Sequence, residues 1–233
     1  MTVGHNVLGD AQIAELEPDL GGRFHSGLFF MDEAHMATPE AMGDLLALAR
    51  REGAVCHFAV GWDGSLPEGS DVVIDCRGIG ARSDLKDLRG VRGERLLVRT
   101  NEVALSRPVR LLHPRHPLYV VPWGDGRFLV GATVIETNDP RPMTVRSALE
   151  LLGLAYALHP AFGEAQVEEM SAGVRPAFPD NVPRVIVEDK ATPIRVNGAF
   201  RHGFLLAPVM AEVVAGLLED DDFAHPLLLR RSG

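Results

Sequence analysis

The segment LYVVPWGDGRFLVGATVIE, residues 118–136, decides the fold predicted for this chain. Two apolar runs lie on either side of Gly124, Asp125 and Gly126. Glycine and aspartate tolerate the positive backbone φ angles that a tight hairpin turn requires, so the pattern predicts two antiparallel strands joined by a short turn. The segment therefore favours an antiparallel sheet in the middle of the chain.

The rest of the chain mixes short apolar runs with a few amphipathic segments. Runs bounded by turn-forming residues predict further strands and loops, at 26–30, 54–60, 71–76, 94–100, 164–178, 184–187 and 193–198. Apolar residues at helical spacing predict helices, at 11–17, 38–52, 144–160 and from about Pro208 to Glu219. Because the elements do not alternate regularly as in a doubly wound sheet, we predict an α+β, or mixed α/β, fold.

Composition and charge exclude several classes of protein. The 233 residues carry a formal net charge of −9 without a run of Lys or Arg, which argues against a nucleic-acid-binding scaffold. No apolar run approaches the roughly 20 residues that span a membrane, and no secretory signal is visible. The two cysteines, Cys56 and Cys76, have apolar neighbours and are expected to be reduced core residues. These features predict a cytoplasmic, soluble protein with no nucleic-acid or membrane partner.

Two further motifs are weak. GIGARS, residues 78–83, has Ser83 at the third glycine position of a dinucleotide fingerprint and no long helix after it. Gly78 therefore predicts either a plain strand-end turn or a turn whose backbone approaches a nucleotide. In HPRHP, the prolines predict an extended loop, so His113 and His116 are interpreted as surface or lining residues rather than metal ligands. We predict no metal site.

Two arginines in glycine-flanked turns carry the strongest chemical signal. Arg175 lies in AGVRPAFPDNVP and Arg201 in GAFRHGFLLAP. Rigid turns that each present a planar guanidinium would make a receptor for a carboxylate. The alternative is that each arginine pairs with an acidic residue of the chain, such as Asp180 or Glu169. The residue types alone leave both interpretations open.

The final helix offers a second clue. LAPVMAEVVAGLLE, residues 206–219, is apolar on almost every side and is expected to be buried. Pro208 suits a helix N-terminus, where free N–H groups and the positive end of the helix dipole favour an anion. The helix is therefore expected to close the core, and its start is a candidate site for partial negative charge on a cofactor.

Taken in order, these segments resemble the glycine/D-amino-acid oxidase family of FAD-dependent oxidoreductases, and among them the glycine oxidases of thiamine biosynthesis. VVIDCRGIGARSDL resembles the family's strand and turn, and GVRGERLLV resembles the "rGe" strand that follows. YVVPWGDGRFLVGAT is similar to the family's central hairpin. AGVRPAFPDNVPRV and NGAFRHGFLLAP are similar to the two segments that carry its arginines.

The resemblance implies roles for individual residues. Arg175 and Arg201 correspond to the arginines that hold the amino-acid carboxylate, and Tyr119 to a tyrosine that lines the substrate pocket. No side chain is expected to act as a catalytic acid or base. The residues expected to bind FAD are Val60, Gly78, Ala199, Phe200, Arg201, His202, Gly203, Phe204 and Leu205.

The resemblance also implies a domain organisation. We expect residues 1–233 to form one compact unit, in which 20–80 and 170–233 are the remainder of an FAD-binding domain and 85–170 are a substrate-binding antiparallel sheet. The family's opening βαβ unit with GxGxxG has no counterpart in this sequence, so the first Rossmann unit is expected to be missing. The chain then resembles the C-terminal part of an oxidase: a truncated product, a product whose start is placed too late, or one half of a split enzyme.

The implied function is the FAD-dependent oxidation of a small amino acid of the glycine type to its imine or 2-oxo acid. Molecular oxygen would be consumed and peroxide formed, as part of thiazole synthesis for thiamine. The alternative is a non-catalytic remnant that does not bind FAD alone. A separate N-terminal FAD-binding chain is a candidate partner, and homo-oligomer formation and the choice between glycine and sarcosine are left open.

Overall fold

A computed structural model describes residues 4–62, 65, 67–112, 117–188 and 193–231. The chain divides into two compact units rather than the single unit expected. Unit 1 comprises residues 1–59, 94–133 and 142–171, and unit 2 comprises residues 60–93, 134–141 and 172–233. Residues 20–59 therefore group with the central hairpin and not with the C-terminal segments. The functional assignment of 20–80, 85–170 and 170–233 stays a prediction.

The described residues contain four α-helices and twelve strands. The helices are α1 (Asp10–Leu16), α2 (Thr38–Arg51), α3 (Val145–Leu158) and α4 (Gly203–Glu219). The first six strands are β1 (His5–Gly9), β2 (Ser26–Phe30), β3 (Ile74–Asp75), β4 (Arg89–Arg99), β5 (Val109–Leu111) and β6 (Leu118–Gly124). The others are β7 (Arg127–Gly131), β8 (Ile135–Glu136), β9 (Gln166–Ala177), β10 (Arg184–Val187), β11 (Ile194–Asn197) and β12 (Leu228–Arg230).

The predicted hairpin is confirmed as β6 and β7. Gly124, Asp125 and Gly126 have φ angles of +81°, +52° and +71°, which explains why glycine and aspartate occupy the turn. Strand β6 pairs antiparallel with β7, with Tyr119 opposite Gly131, and β7 pairs antiparallel with β4. The sheet has the strand order β5-β6-β7-β4-β8, and β9 also pairs with β4. This arrangement confirms the α+β prediction.

The core of unit 1 lies between this sheet and α3. Strand alternation turns one set of side chains inward, where the side chains of α3 cover them. Thr144 caps α3 because its side chain accepts a hydrogen bond from the Ser147 N–H. The central buried residues are Leu96, Val98, Val120, Phe128, Val130, Leu151, Ala155, Leu158 and Phe162.

Unit 2 contains a four-stranded sheet with the order β12-β10-β11-β3. Strand β10 pairs antiparallel with β11 and parallel with β12, whereas β11 pairs parallel with β3. Helix α4 packs on this sheet through one face only. The buried cluster consists of Val185, Ile194, Val213, Val214 and Leu217.

Several predictions from the sequence are wrong. Residues 54–60 form no strand, and Val60 is 72% exposed at the end of that irregular segment. The two cysteines are not core residues, since Cys56 is half-buried and Cys76 is exposed. A short run of apolar residues predicts burial only when another element covers it, and within the described residues no element pairs with 54–60.

The final helix also differs from its prediction. It begins at Gly203, five residues before Pro208, and only one face is buried. Phe204 is 52% and Leu205 77% exposed, although the helix is apolar on nearly every side. Within the described residues, no helix is long and apolar enough to cross a membrane.

Candidate functional site

The guanidinium of Arg175 lies against the backbone of Gly93 in unit 2. A Cβ atom built on Gly93 would lie 1.9 Å from Nη2, 2.0 Å from Cζ and 2.1 Å from Nη1 of Arg175. The outer end of the guanidinium therefore occupies the space that a side chain at residue 93 would fill. The side chain is half-buried at the end of β9, so its charge is held at a defined place.

Arg175 lies in strand β9 rather than in the turn predicted from its sequence, and the next residue, Pro176, contacts two segments predicted to bind the cofactor. Its carbonyl oxygen accepts a hydrogen bond from the Phe200 N–H at 3.0 Å. Its Cγ atom lies 3.7 Å from the position of a Cβ built on Gly78. Three segments that are far apart in sequence therefore lie close together in unit 2: those around Gly78, Arg175 and Phe200.

A side-chain hydrogen bond stabilises the Gly78 turn. Nδ2 of Asn197, a buried residue at the end of β11, donates to the Gly78 carbonyl oxygen at 2.9 Å. Gly78 has φ +59° and begins a short 3-10 helix, Gly78–Ala81. A turn of this kind follows β3 without a long helix, which agrees with the rejection of a dinucleotide fingerprint.

A charged cluster supports the same turn. Arg77 donates from its Nε to Asp75 at 2.9 Å, pairs with Asp84, and packs against the ring of Trp62 with Cζ 4.8 Å from the ring centroid. Burial of Asp75 opposes its ionisation, but the hydrogen bonds from Arg77 outweigh it and keep the pKa of Asp75 below its usual value. Sequence analysis quoted the segment that contains Asp75, Arg77 and Asp84 but did not predict that these side chains pair with one another.

The segment that leads into α4 has a special backbone conformation. Gly198 has φ +83° and Phe200 has φ +48°, and the His202 N–H donates to the Ala199 carbonyl oxygen at 2.9 Å. These features direct the chain through a tight turn into the helix. The predicted cofactor-binding residues from Ala199 to Leu205 thus form a compact turn followed by the first residues of α4.

The start of α4 presents free donors at an exposed surface. The first hydrogen bond of helical type runs from the Leu206 N–H to the His202 carbonyl oxygen, so the N–H groups of Gly203, Phe204 and Leu205 have no partner within the helix. The helix dipole adds partial positive charge at the same place. Because Phe204 and Leu205 are exposed beside these donors, the surface combines apolar area with anion-binding groups. This combination fits the flat, partly anionic ring of a flavin.

Arg201 is exposed, although an apolar run follows it. It lies in the turn before α4, and the structure shows no ion pair for it among the described residues. Asp180, one of the acidic partners considered for these arginines, accepts a hydrogen bond from Arg184 at 2.8 Å. Arg201 is therefore available for an external anion.

Tyr119 lies in unit 1, on β6, and its ring crosses the neighbouring strand at Gly131. A Cβ atom built on Gly131 would lie 2.7 Å from the Tyr119 hydroxyl oxygen. The cross-strand pairing of these two residues puts the ring over Gly131, which has no side chain. The ring is half-buried and held in place by the sheet.

The strand segment after Gly131 is anchored by a buried carboxylate that sequence analysis did not single out. Glu94 is fully buried, and its Oε2 accepts a hydrogen bond from the Thr133 hydroxyl at 3.1 Å. Its Oε1 accepts a second hydrogen bond from the Thr144 N–H at 3.2 Å. The "rGe" pattern contains both Gly93 and Glu94, but the pattern alone does not show which side chains meet them.

A metal centre is not found within the described residues, which contain no group of three or more His, Cys, Asp or Glu placed to hold an ion. His113 and His116 lie outside the described residues.

Comparison with known proteins identifies the family. The family model "FAD dependent oxidoreductase" (DAO) matches residues 2–217. The thiamine biosynthesis oxidoreductase ThiO proposed for Rhizobium etli is 54% identical over 214 residues, which cover 92% of this chain and 64% of that protein. The bifunctional protein ThiO/ThiG of Synechocystis is 36% identical over 102 residues, which cover 44% of this chain and 16% of that protein.

A solved structure shows the same fold. The crystal structure of glycine oxidase from Geobacillus kaustophilus superposes with a TM-score of 0.81 at 21% identity, covering 96% of this chain and 65% of that one. The chain thus spans a little under two thirds of the length of the Rhizobium relative and of the glycine oxidase structure. Because the family model covers most of the sequence, this chain belongs to the DAO family of FAD-dependent oxidoreductases.

Proposed function

We propose that this protein takes part in the FAD-dependent oxidation of a small amino acid of the glycine type, within the thiamine pathway. The amine is oxidised to an imine, which water converts to the 2-oxo acid, and oxygen is reduced to peroxide. The names of the Rhizobium and Synechocystis relatives support the pathway, and the family supports the cofactor. The cytoplasm is the proposed location.

One observation carries the proposal. The end of β9, which carries Arg175, and the turn that contains Arg201 are joined by the hydrogen bond from the Phe200 N–H to the Pro176 carbonyl oxygen. Two guanidinium groups on neighbouring segments suit a carboxylate, which accepts hydrogen bonds from both. The exposed N-terminus of α4 begins two residues after Arg201 and suits the anionic edge of a flavin.

The residues of the chain then have separate tasks. Arg175 and Arg201 hold the substrate carboxylate and fix the position of its Cα atom. The role of Tyr119 in the substrate pocket stays a prediction from the resemblance. The N–H groups of Gly203 to Leu205 stabilise negative charge next to the helix. FAD supplies the acceptor for the electron pair that leaves the substrate as hydride. Placement of the reacting carbon is the main contribution of the protein.

A separate FAD-binding chain is a proposed partner. The parallel strand β3 lies at the edge of its four-stranded sheet, and Val72 and Ile74 beside this edge are each 44% exposed. An open edge next to exposed apolar side chains is suited to accept a further strand. We propose that a nucleotide-binding segment with GxGxxG adds there. Association of identical chains is a further proposal, which the molecular mass in solution would test.

The first experiment is flavin binding. The purified chain is incubated with FAD, alone and together with the nucleotide-binding segment of the Rhizobium relative, and its visible spectrum and melting temperature are recorded. A flavin spectrum and a higher melting temperature in either mixture support the proposal. A colourless protein with an unchanged melting temperature in both mixtures would favour the alternative, a remnant that does not bind FAD.

The second experiment measures the role of the arginines. In the FAD-loaded protein, Arg175→Ala or Arg201→Ala should raise KM for glycine about ten- to hundredfold, because each removes a charge-assisted hydrogen bond worth about 1.5–3 kcal/mol. The flavin spectrum should be retained. Loss of the flavin in either variant would show that the arginine has a structural role instead.

A further inference from the structure

Gly93 occupies a position of β4 where a side chain is excluded by Arg175. The residues on either side of it, Arg92 and Glu94, are almost fully buried on the opposite face of the strand. On its own face, the space that a Cβ would fill is taken by the guanidinium of Arg175, at distances of 1.9–2.1 Å. Ordinary van der Waals contacts of a Cβ start at about 3.4 Å, so even alanine does not fit with Arg175 in its present place.

A second glycine of the same strand is also closely packed. A Cβ built on Gly90 would lie 2.2 Å from Oδ1 of Asn138 and 2.5 Å from Cγ1 of Val174, the residue before Arg175. Two glycines, three residues apart on β4, therefore allow two consecutive residues of β9 to reach the strand backbone. Close backbone approach is a recognised use of glycine in strands.

The close contact determines where the guanidinium lies. Nη1, Nη2 and Cζ of Arg175 occupy the space that a Cβ at residue 93 would fill. A carboxylate binds an arginine in the plane of the guanidinium, so a shift of this group moves the place where the carboxylate is bound. The position of the substrate is thereby coupled to the absence of a side chain at residue 93.

We infer that Gly93 is a positioning residue for carboxylate recognition, because it fixes the location of the Arg175 guanidinium. The inference rests on the proposed role of Arg175 in binding the substrate carboxylate. It assigns Gly93 no contact with the substrate. Any side chain at this position moves the guanidinium outwards by more than 1 Å, and such a displacement of a positioning group is enough to change rates by about 100-fold.

The matched variants are Gly93→Ala and Gly173→Ala. Gly173 lies on β9, two residues before Arg175, and a Cβ built on it meets no atom within 4 Å. Both variants add one methyl group near the same arginine, but only Gly93→Ala displaces it. The overlapping atoms belong to the flexible end of a long side chain, so Gly93→Ala is expected to fold.

The first test needs no flavin. The side-chain Nε–H signal of Arg175 is assigned in the NMR spectrum of the chain by its loss in Arg175→Lys. The signal should shift in Gly93→Ala and stay in place in Gly173→Ala. An unchanged Arg175 signal in Gly93→Ala would overturn the inference.

The second test uses the FAD-loaded protein and glycine as substrate. Gly93→Ala should raise KM about tenfold or more with the flavin spectrum unchanged, and it should have less than about a twofold effect when Arg175 is already alanine. If Arg175→Ala raises KM and Gly93→Ala does not, the inference fails while the proposed function stands. If Arg175→Ala leaves KM unchanged, the proposed function itself fails.

Discussion

Gly198→Ala is predicted to destabilise unit 2 because two independent features exclude a Cβ at this position. The residue has φ +83°, a conformation that L-residues other than glycine rarely adopt. A Cβ built on it would lie 2.3 Å from Cδ2 and 2.6 Å from Cε2 of Phe178. The Phe178 ring is fully buried, so it has no free space into which it can retreat.

The expected loss of unfolding free energy is the sum of a backbone contribution and a packing contribution. Holding alanine in the left-handed region costs about 1–2 kcal/mol. Forcing a methyl group into a packed core costs about 1–3 kcal/mol. The sum, about 2–5 kcal/mol, is a large share of the roughly 5–15 kcal/mol that stabilises an ordinary domain. For a chain of this size it corresponds to a fall in melting temperature of about 4–20 °C.

The assay is urea unfolding of Gly198→Ala, with Gly203→Ala as control. Gly203 begins α4, has no positive φ, and a Cβ built on it meets no atom within 4 Å. The control should unfold at the same urea concentration as the parent or at a slightly higher one, because alanine restricts the unfolded chain. If Gly198→Ala unfolds together with the control, the reasoning about backbone strain and the Phe178 contact is wrong.

Three further predictions concern buried or closely packed groups. Because hydrogen bonds from Arg77 keep the folded pKa of Asp75 below its usual 3.8, its ionised form stabilises the protein above that pH and the contribution is lost as the pH falls through the folded pKa. Asp75→Asn should therefore flatten the acid side of a plot of unfolding free energy against pH, and an unchanged slope there would refute this. Gly131→Ala should push the ring of Tyr119 aside and cost about 1–3 kcal/mol in urea unfolding, since the new Cβ would lie 2.7 Å from the hydroxyl oxygen; a midpoint equal to that of the parent would contradict it. Glu94→Gln should cost about 1–3 kcal/mol, because the buried carboxylate accepts two hydrogen bonds and the new amide NH₂ group accepts none; stability equal to that of the parent would show that neither bond matters.

The hairpin was predictable because its signal is local. Gly124, Asp125 and Gly126 mark the turn, and the apolar runs beside them fix the length of both strands. Each of these residues acts on its immediate neighbours in sequence, so the pattern predicts β6 and β7 without knowledge of the remaining fold. The same reason explains the success with α3, which Thr144 caps.

Burial was not predictable where it depends on a distant partner. Residues 54–60 have the composition of a strand, yet Val55 and Val60 are 79% and 72% exposed. Helix α4 is apolar on nearly every side, yet Leu205 is 77% exposed. Local apolar content indicates what a segment is able to bury, whereas the neighbouring elements decide what it does bury.

The candidate site likewise has features that local sequence predicts and features that depend on distant residues. Its residue types and motifs indicated Arg175 and Arg201, because both arginines lie close to glycine in segments that resemble the family's arginine segments. The contact of Arg175 with Gly93 was not predictable, since it depends on the pairing of two strands about 80 residues apart. The sequence shows Gly93 and Arg175 but gives no local signal that they are in contact.

The most direct test of the central claim is the anaerobic addition of glycine to the FAD-loaded protein. If the protein is an amino-acid oxidase of this family, the visible flavin band should bleach with glycine, and admission of oxygen should restore it with the release of peroxide. Arg175→Ala should bleach only at about ten- to hundredfold higher glycine concentration. A flavin band that glycine leaves unchanged at every concentration would contradict the account.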